Sequence, residues 1–249
     1  RQVSAEISAI DSVGPFERIR FSAPELAPAL EPGRAILARS AHRYLRRAGW
    51  PCAIDDDGFA ALWGCRQPAD LRVGDRVDVL GGVGRGFQVE EASRNILLVA
   101  AGSSEPDPDL GPLLPLIDRA LSAGRSVTLA YAASTAEQAY PISLLPPAIE
   151  VIRAIETRLI DLLSDAIAWA DQIFASGPTD FSAQLAGRIQ AIRFPAPRGF
   201  AQALHCVELI CGVGACGACR KQAKLVCVDG PVFELETRPD GSRRPVRSG

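Results

Sequence analysis

The sequence predicts a chain of three successive parts: a small antiparallel β-barrel over 1–94, an α/β domain with a parallel sheet over 95–198, and a cysteine module over 199–249. Three observations predict this order. Short apolar or alternating runs fill the first part, strand and helix patterns alternate from Asn95 onward, and four cysteines stand at C-x4-C-x2-C-x7-C spacing near the end.

In the first part the expected strands are Val3 to Ile10, Glu17 to Ser22, Arg34 to Arg39, Phe59 to Trp63 and Arg76 to Leu80. Turn signals separate them: Glu31-Pro32-Gly33, Asp55-Asp56-Asp57-Gly58 and Val73-Gly74-Asp75. Strands this short at this spacing suit a small barrel.

In the second part Asn95 to Ala101 is a continuous apolar run of the buried-strand type, and Leu110 to Ala123 has helical spacing. Ser126 to Ala132, Ile149 to Ala154 and Gln172 to Ser176 read as further strands. Arg158 to Trp169 reads as an amphipathic helix with Leu159, Leu162, Leu163, Ala166 and Ile167 on one side, and Phe181 to Ile192 as another helix. Such alternation implies a parallel sheet covered by helices. Phe194 to Gly199, with two prolines, reads as a linker.

The four cysteines of the last part are Cys211, Cys216, Cys219 and Cys227. Their spacing is that of a plant-type [2Fe-2S] loop, in which four thiolates converge on two irons bridged by sulfide. Gly212, Gly214 and Gly217 lie between the first three, where a missing Cβ lets backbone N–H groups approach the sulfurs, and Ala223 to Val226 is an expected strand leading to Cys227. A zinc knuckle is one alternative, but zinc usually takes two C-x2-C pairs and only one is present; disulfides are the other, and nothing else in the chain supports the oxidising compartment they imply. Cys52, Cys65 and Cys206 read as small core or surface residues, Cys206 being the competitor for a ligand position. His42 and His205 form no catalytic constellation with other residues, and no catalytic acid or base is assigned.

Composition excludes several classes. With 249 residues, 47% hydrophobic and 22% charged, the chain can bury two cores, and a net charge of −2 argues against a nucleic-acid binder. No apolar run reaches the length of a membrane span, and no signal-peptide pattern opens the sequence, so a cytoplasmic location is expected. The charged stretch Arg238 to Arg247 reads as a solvated end.

Gly74-Asp75-Arg76-Val77-Asp78-Val79-Leu80-Gly81 closing the barrel, Ser176-Gly177-Pro178 after an α/β strand, and Cys227-Val228-Asp229-Gly230-Pro231-Val232-Phe233 after the cysteine loop are the most informative segments. In this order the chain resembles the electron-transfer subunit of bacterial NAD-dependent dihydroorotate dehydrogenase, within the ferredoxin reductase-like proteins. The resemblance implies a flavin-type barrel, a nucleotide-binding-like α/β domain and a C-terminal [2Fe-2S] module. It implies a relay from NAD(H) through FAD and the cluster to a flavin-containing catalytic subunit of an oxidoreductase in pyrimidine biosynthesis, and hence a hetero-oligomer. An electron-transfer subunit of this kind is not a stand-alone enzyme.

The resemblance carries the four cysteines over as cluster ligands, although the family often has a longer insertion before the fourth. The flavin and nicotinamide motifs are degenerate. Where the family places Arg-Pro-aromatic or aliphatic-Ser, this chain has Leu45-Arg46-Arg47-Ala48-Gly49-Trp50-Pro51-Cys52, with arginine but no serine. Arg46 and Arg47 are candidates to neutralise the FAD pyrophosphate and Trp50 to stack on a ring; a solvated loop with one anchoring aromatic is the alternative. A second flavin-phosphate turn is not recognisable at Trp63-Gly64-Cys65-Arg66-Gln67. The glycine run 81–86 is expected beside the flavin, with Gly81 and Gly84 as candidate contacts. The nicotinamide turn reads Gly102-Ser103-Ser104-Glu105-Pro106-Asp107-Pro108-Asp109, where acidic residues repel a phosphate. Two further possibilities therefore stand beside the active relay: an accessory or assembly subunit that keeps the cluster but no longer oxidises NADH, and a structural zinc protein.

Overall fold

The protein is described here by a computed structural model, covering residues 1–40, 44–63, 71–101, 110–133, 135, 137–155, 158–205, 207–221 and 223–235. Seven strands form a first, wholly antiparallel sheet: β1 (Gln2–Val13), β2 (Phe16–Ser22), β3 (Ala35–Arg39), β4 (Arg47–Gly49), β5 (Pro51–Asp55), β6 (Gly58–Trp63) and β7 (Arg76–Val83). Their order is β4-β3-β7-β1-β2-β6-β5. The edge strands β4 and β5 are thus consecutive in the chain, joined by Trp50 alone. Ala5, Ile7, Ile19, Phe21, Ile36, Phe59, Val77 and Val79, from five strands, share one core. Within it Phe21 and Phe59 are cross-strand partners whose rings stack with centroids 4.9 Å apart.

The expected strands of this region are all present, β1 and β7 several residues longer, β2 and β6 longer by one and β3 shorter by one; β4 and β5 were not expected. β5 opens on a proline, which a sheet tolerates at an edge strand's first residue.

The second sheet holds β8 (Asn95–Ala101), β9 (Ser126–Ala133), β10 (Glu150–Ile155), β11 (Gln172–Ser176), β12 (Ala201–Leu204) and β15 (Val232–Glu234), in the order β10-β9-β8-β11-β12-β15. All neighbours are parallel except β12 and β15. Helices α1 (Leu114–Ser122), α2 (Leu159–Leu162), α3 (Ser164–Trp169) and α4 (Thr179–Ile192) accompany it. The direction of winding reverses between β8 and β11, and their carboxyl ends, at Ala101 and Ser176-Gly177, form the crevice where open α/β sheets receive ligands. The strand pairing continues past residue 198, since the cysteine segment supplies β12 and β15.

The helix expected over Arg158 to Trp169 is instead two short helices broken at Leu163. Leu159, Leu163 and Ile167 are buried at i, i+4 and i+8, whereas Leu162 is 54% exposed. The buried stripe is therefore narrower than its sequence suggests, and Arg188 reaches Ser164 at the break.

The connector after β7 is tied to the second sheet by two buried glutamines. Gln172 accepts from the Glu90 N–H and the Ser93 hydroxyl, and its amide donates to the carbonyls of Gln88 and Gly199. Gln202 accepts from the Gln88 N–H and donates to its carbonyl. Every polar atom of these two buried side chains is engaged, as burial demands. Among the described residues no helix is long and apolar enough to cross a membrane.

Candidate functional site: a cysteine loop beside a cleft

The cysteine segment continues as β13 (Arg220–Lys221), β14 (Lys224–Leu225) and the single turn α5 (Val226–Asp229). The strand expected before Cys227 is present as β14, antiparallel to β13, and Cys227 itself lies in α5. The Asp229 carboxylate accepts the Leu225 N–H at 2.8 Å, and the Val226 N–H donates to the Cys219 carbonyl at 3.1 Å. Together they fold the fourth cysteine back onto the third.

All four thiols are free. Cys216 touches Cys211 and Cys219 touches Cys227, and Cys227 also lies within electrostatic reach of Cys211, so the four thiols sit in one neighbourhood. A two-iron cluster takes two thiolates on each iron, whereas zinc takes four around one point. Among the described residues no three His, Cys, Asp or Glu side chains are gathered as a single-ion site. Backbone donors face the sulfurs. The Gly214 N–H lies 3.2 Å from Cys227 Sγ, and the Cys227 N–H lies 3.4 Å from Cys219 Sγ. Hydrogen bonds from the Val213 and Cys216 backbone, from the Cys216 thiol and from the Ala215 N–H hold the Cys211 thiol down to about 6. Burial, followed by the neighbouring Cys219, pushes Cys227 up to about 11. Thiol donors surrounded by N–H groups suit an anionic iron-sulfide core. Gly212, Gly214 and Gly217 all have φ near +70°, at 71°, 78° and 69°, and a Cβ on Gly214 would stand 2.9 Å from the Val228 side chain.

The inner side of the loop packs on the first sheet. Cys219 and Cys227, 6% and 3% exposed, share a core with Ala35, Leu37, Val83, Leu209 and Val226. The outer side is apolar and open: Val213 is 64% exposed, Ile210 48% and Val228 45%.

Beside the loop lies a cleft of about 800 Å³ lined by Tyr44 to Ala48, Trp50 and Val207 to Ile210. The expected flavin candidates Arg46, Arg47 and Trp50 thus meet at one place, immediately before Cys211. They differ in state. Arg46 is held by Asp78, with Nη2 at 2.7 Å, while the Arg47 side chain is exposed and makes no hydrogen bond or ion pair among the described residues. The Trp50 indole N–H is buried without a partner. The volume is in the range of small-molecule sites, and its lining combines the exposed Arg47 cation with the apolar side chains of Trp50, Leu209 and Ile210, a combination that suits a flavin's phosphate and ring.

Gly81 and Gly84 do not line this cleft. A Cβ on Gly81 would press on the Leu26 side chain at 2.9 Å. Gly84, at φ 77°, lets the backbone pass Gly230, whose oxygen accepts the Arg85 N–H; a Cβ there would fall 2.0 Å from that oxygen. Both glycines serve close packing, Gly84 between the first sheet and the cysteine segment. No helix directly follows Phe87. His205 is no partner of the cysteines: its ring meets Lys221 Nζ and tilts over Phe233, and burial with the Lys221 charge lowers it to about 4. Cys52 is a buried core thiol raised by burial to about 12. The turns at 64–67 and 102–109, along with His42, Cys65, Cys206 and the tail from 238 to 247, lie outside the described residues.

Sequence reasoning missed Asp78 as the partner of Arg46 and Val207 to Ile210 as the facing wall. Asp78 stands in an alternating strand where an outward acid needs no explanation, and the wall carries no motif.

An antiparallel sheet followed by a five-strand parallel array and a cysteine loop defines a ferredoxin reductase-like chain with an iron-sulfur type module. Solved structures agree on the fold. An NADH-dependent reduced ferredoxin-NADP oxidoreductase, studied for flavin-based electron bifurcation, superposes with a TM-score of 0.75 at 18% identity, over 93% of this chain and 88% of its own. The ferredoxin-NADP+ reductase of Plasmodium falciparum gives 0.65 at 8% identity, over 81% and 95%. Residues 208–237 match the iron-sulfur cluster binding domain of dihydroorotate dehydrogenase B. The dihydroorotate dehydrogenase B (NAD(+)) electron transfer subunit of Shouchella clausii is 32% identical over 69% of this chain and 68% of its own. That of Geobacillus thermodenitrificans is 29% identical over 82% and 84%. The chain belongs to the family of dihydroorotate dehydrogenase B electron transfer subunits.

Proposed function

We propose that this chain is an electron-transfer subunit that carries a [2Fe-2S] cluster on Cys211, Cys216, Cys219 and Cys227 and a flavin, FAD, in the adjoining cleft, between NAD(H) and a flavin-containing catalytic subunit acting on dihydroorotate in pyrimidine biosynthesis. The observation that carries it is a loop in which backbone N–H groups face the cysteine sulfurs, Gly214 toward Cys227 and Cys227 toward Cys219, within the segment that matches an iron-sulfur cluster binding domain. When bound, the flavin exchanges a hydride's two electrons for single ones and the cluster passes single electrons on. The chain's own residues hold these groups: the thiols ligate, Gly214 N–H donates to Cys227, Arg47 meets phosphate, and Trp50 with Leu209 and Ile210 excludes water.

We read the chain as three parts, 1–94, 95–198 and 199–249, the last lending two strands to the second sheet. The one-residue link between opposite edge strands supports a barrel for the first part. The apolar rim of Ile210, Val213 and Val228 is the face proposed for the partner subunit, within electron-tunnelling reach of the cluster. A cytoplasmic site of action is part of this reading and is supported by the family's role in pyrimidine biosynthesis.

A second possibility, a subunit that keeps the cluster without oxidising NADH, is favoured by one observation: Arg46 is already engaged by Asp78. Metal and flavin analysis of the purified protein tests both. The expected result is about two irons and two sulfides per chain with visible cluster bands and bound FAD; a colourless zinc protein rejects the proposal. NADH-dependent reduction of an artificial acceptor separates the relay from the accessory subunit.

A further inference from the structure

The cleft and the cysteine loop are built from shared material. One wall, Val207 to Ile210, is the chain leading directly into Cys211. Leu209 of that wall is 2% exposed and packs in the same core as Cys219, Val226 and Cys227. Trp50, which also lines the cleft, packs against that core and also against the core that includes Phe16, Cys52 and Tyr140. No other side chain is packed against both in this way among the described residues.

Ligation at Cys211 constrains the residue that directly follows the wall segment, and ligation at Cys219 and Cys227 constrains the core on which Leu209 packs. We propose that the two sites are thermodynamically coupled: the cleft binds a flavin tightly only when the cluster is in place, with Trp50 and Leu209 as the shared wall. This rests on the flavin-binding role proposed above. Coupling is reciprocal, so an occupied cleft in turn holds the cluster.

The test titrates FAD, followed by quenching of its fluorescence, into cluster-loaded protein and into protein stripped by a chelator. Iron, sulfide and far-ultraviolet circular dichroism are checked in each. Tighter binding to the loaded form by about tenfold or more is expected, within the usual range of coupling between sites; equal binding overturns the proposal. Stripping can also unfold the cysteine segment, so a second measurement keeps the protein loaded. Bleaching of the visible cluster bands by chelator is timed with and without FAD. FAD is expected to slow it about tenfold, and an unchanged rate overturns the proposal. In Trp50→Phe, which keeps an aromatic wall but loses area and the N–H, the coupling falls toward one; full coupling in that variant removes Trp50 from it and overturns its assigned part. If the loaded wild type binds no FAD at all, the flavin-binding role itself fails, an outcome distinct from equal binding to both forms.

Discussion

Arg46 donates from both Nε and Nη2 to one oxygen of Asp78, at 3.1 and 2.7 Å. The same carboxylate takes Arg39 at 3.4 Å and the Gln2 amide at 2.6 Å. Its charge is matched from three sides, so Arg46 braces the cleft wall and leaves Arg47 as the cation available to a ligand. Arg47→Ala is expected to weaken FAD binding about tenfold or more, the effect of one charged hydrogen bond, while leaving riboflavin, which has no phosphate, unaffected. Arg46→Ala is expected instead to lower stability by about 1–2 kcal/mol, between the values for exposed and buried pairs. Fluorescence titration and thermal melts check the two.

Gly84 and Gly81 respond differently to a methyl group. Gly84→Ala places a Cβ against the backbone oxygen of Gly230 at a φ of 77°, so neither neighbour nor conformation can yield cheaply. The left-handed strain alone costs about 1–2 kcal/mol, and the contact between β7 and the cysteine segment is lost besides. Gly81→Ala meets only the end of the Leu26 side chain and is expected to be milder. Melting temperatures, with limited proteolysis of the C-terminal segment, read the difference.

Serine at any one of Cys211, Cys216, Cys219 or Cys227 is expected to abolish or strongly shift the visible cluster bands. Cys52→Ala, in a buried site remote from the loop's core, is expected to leave them intact and to cost about 1 kcal/mol or somewhat more in packing. Absorbance and iron content decide. Loss of bands only with Cys52→Ala rejects the assignment of ligands.

His205 titrates at about 4 in the folded protein, below its ordinary 6.5, because burial and then the Lys221 charge oppose protonation. On acidification the unfolded chain takes up this proton first. Stability due to His205 is therefore full above pH 6.5 and is lost as the pH falls toward 4. His205→Gln is expected to flatten the dependence of the melting temperature between these limits, measured on cluster-loaded protein.

Much of this architecture is legible in the residues. β8, with its unbroken Ile96 to Ala101 run, and β11 are read to the residue, because a strand buried on both faces has no polar interruptions to confuse its ends. The cysteine loop is legible because its ligand spacing and its glycines point the same way. β4 and β5 are not, since three to five residues containing Gly49 and Pro51 carry no strand signal of their own, and the pairing that makes them strands is long-range. The cleft is only half legible: Arg47 and Trp50 come from a motif position, whereas Leu209 becomes a wall by packing on cysteines ten and eighteen residues later.

The buried amides of Gln172 and Gln202 clasp the connector that joins the two sheets, leaving no slack at the one place where a hinge would form. Moving one sheet against the other has to break buried amide contacts first, which favours motion in the cleft's own walls over motion between the sheets.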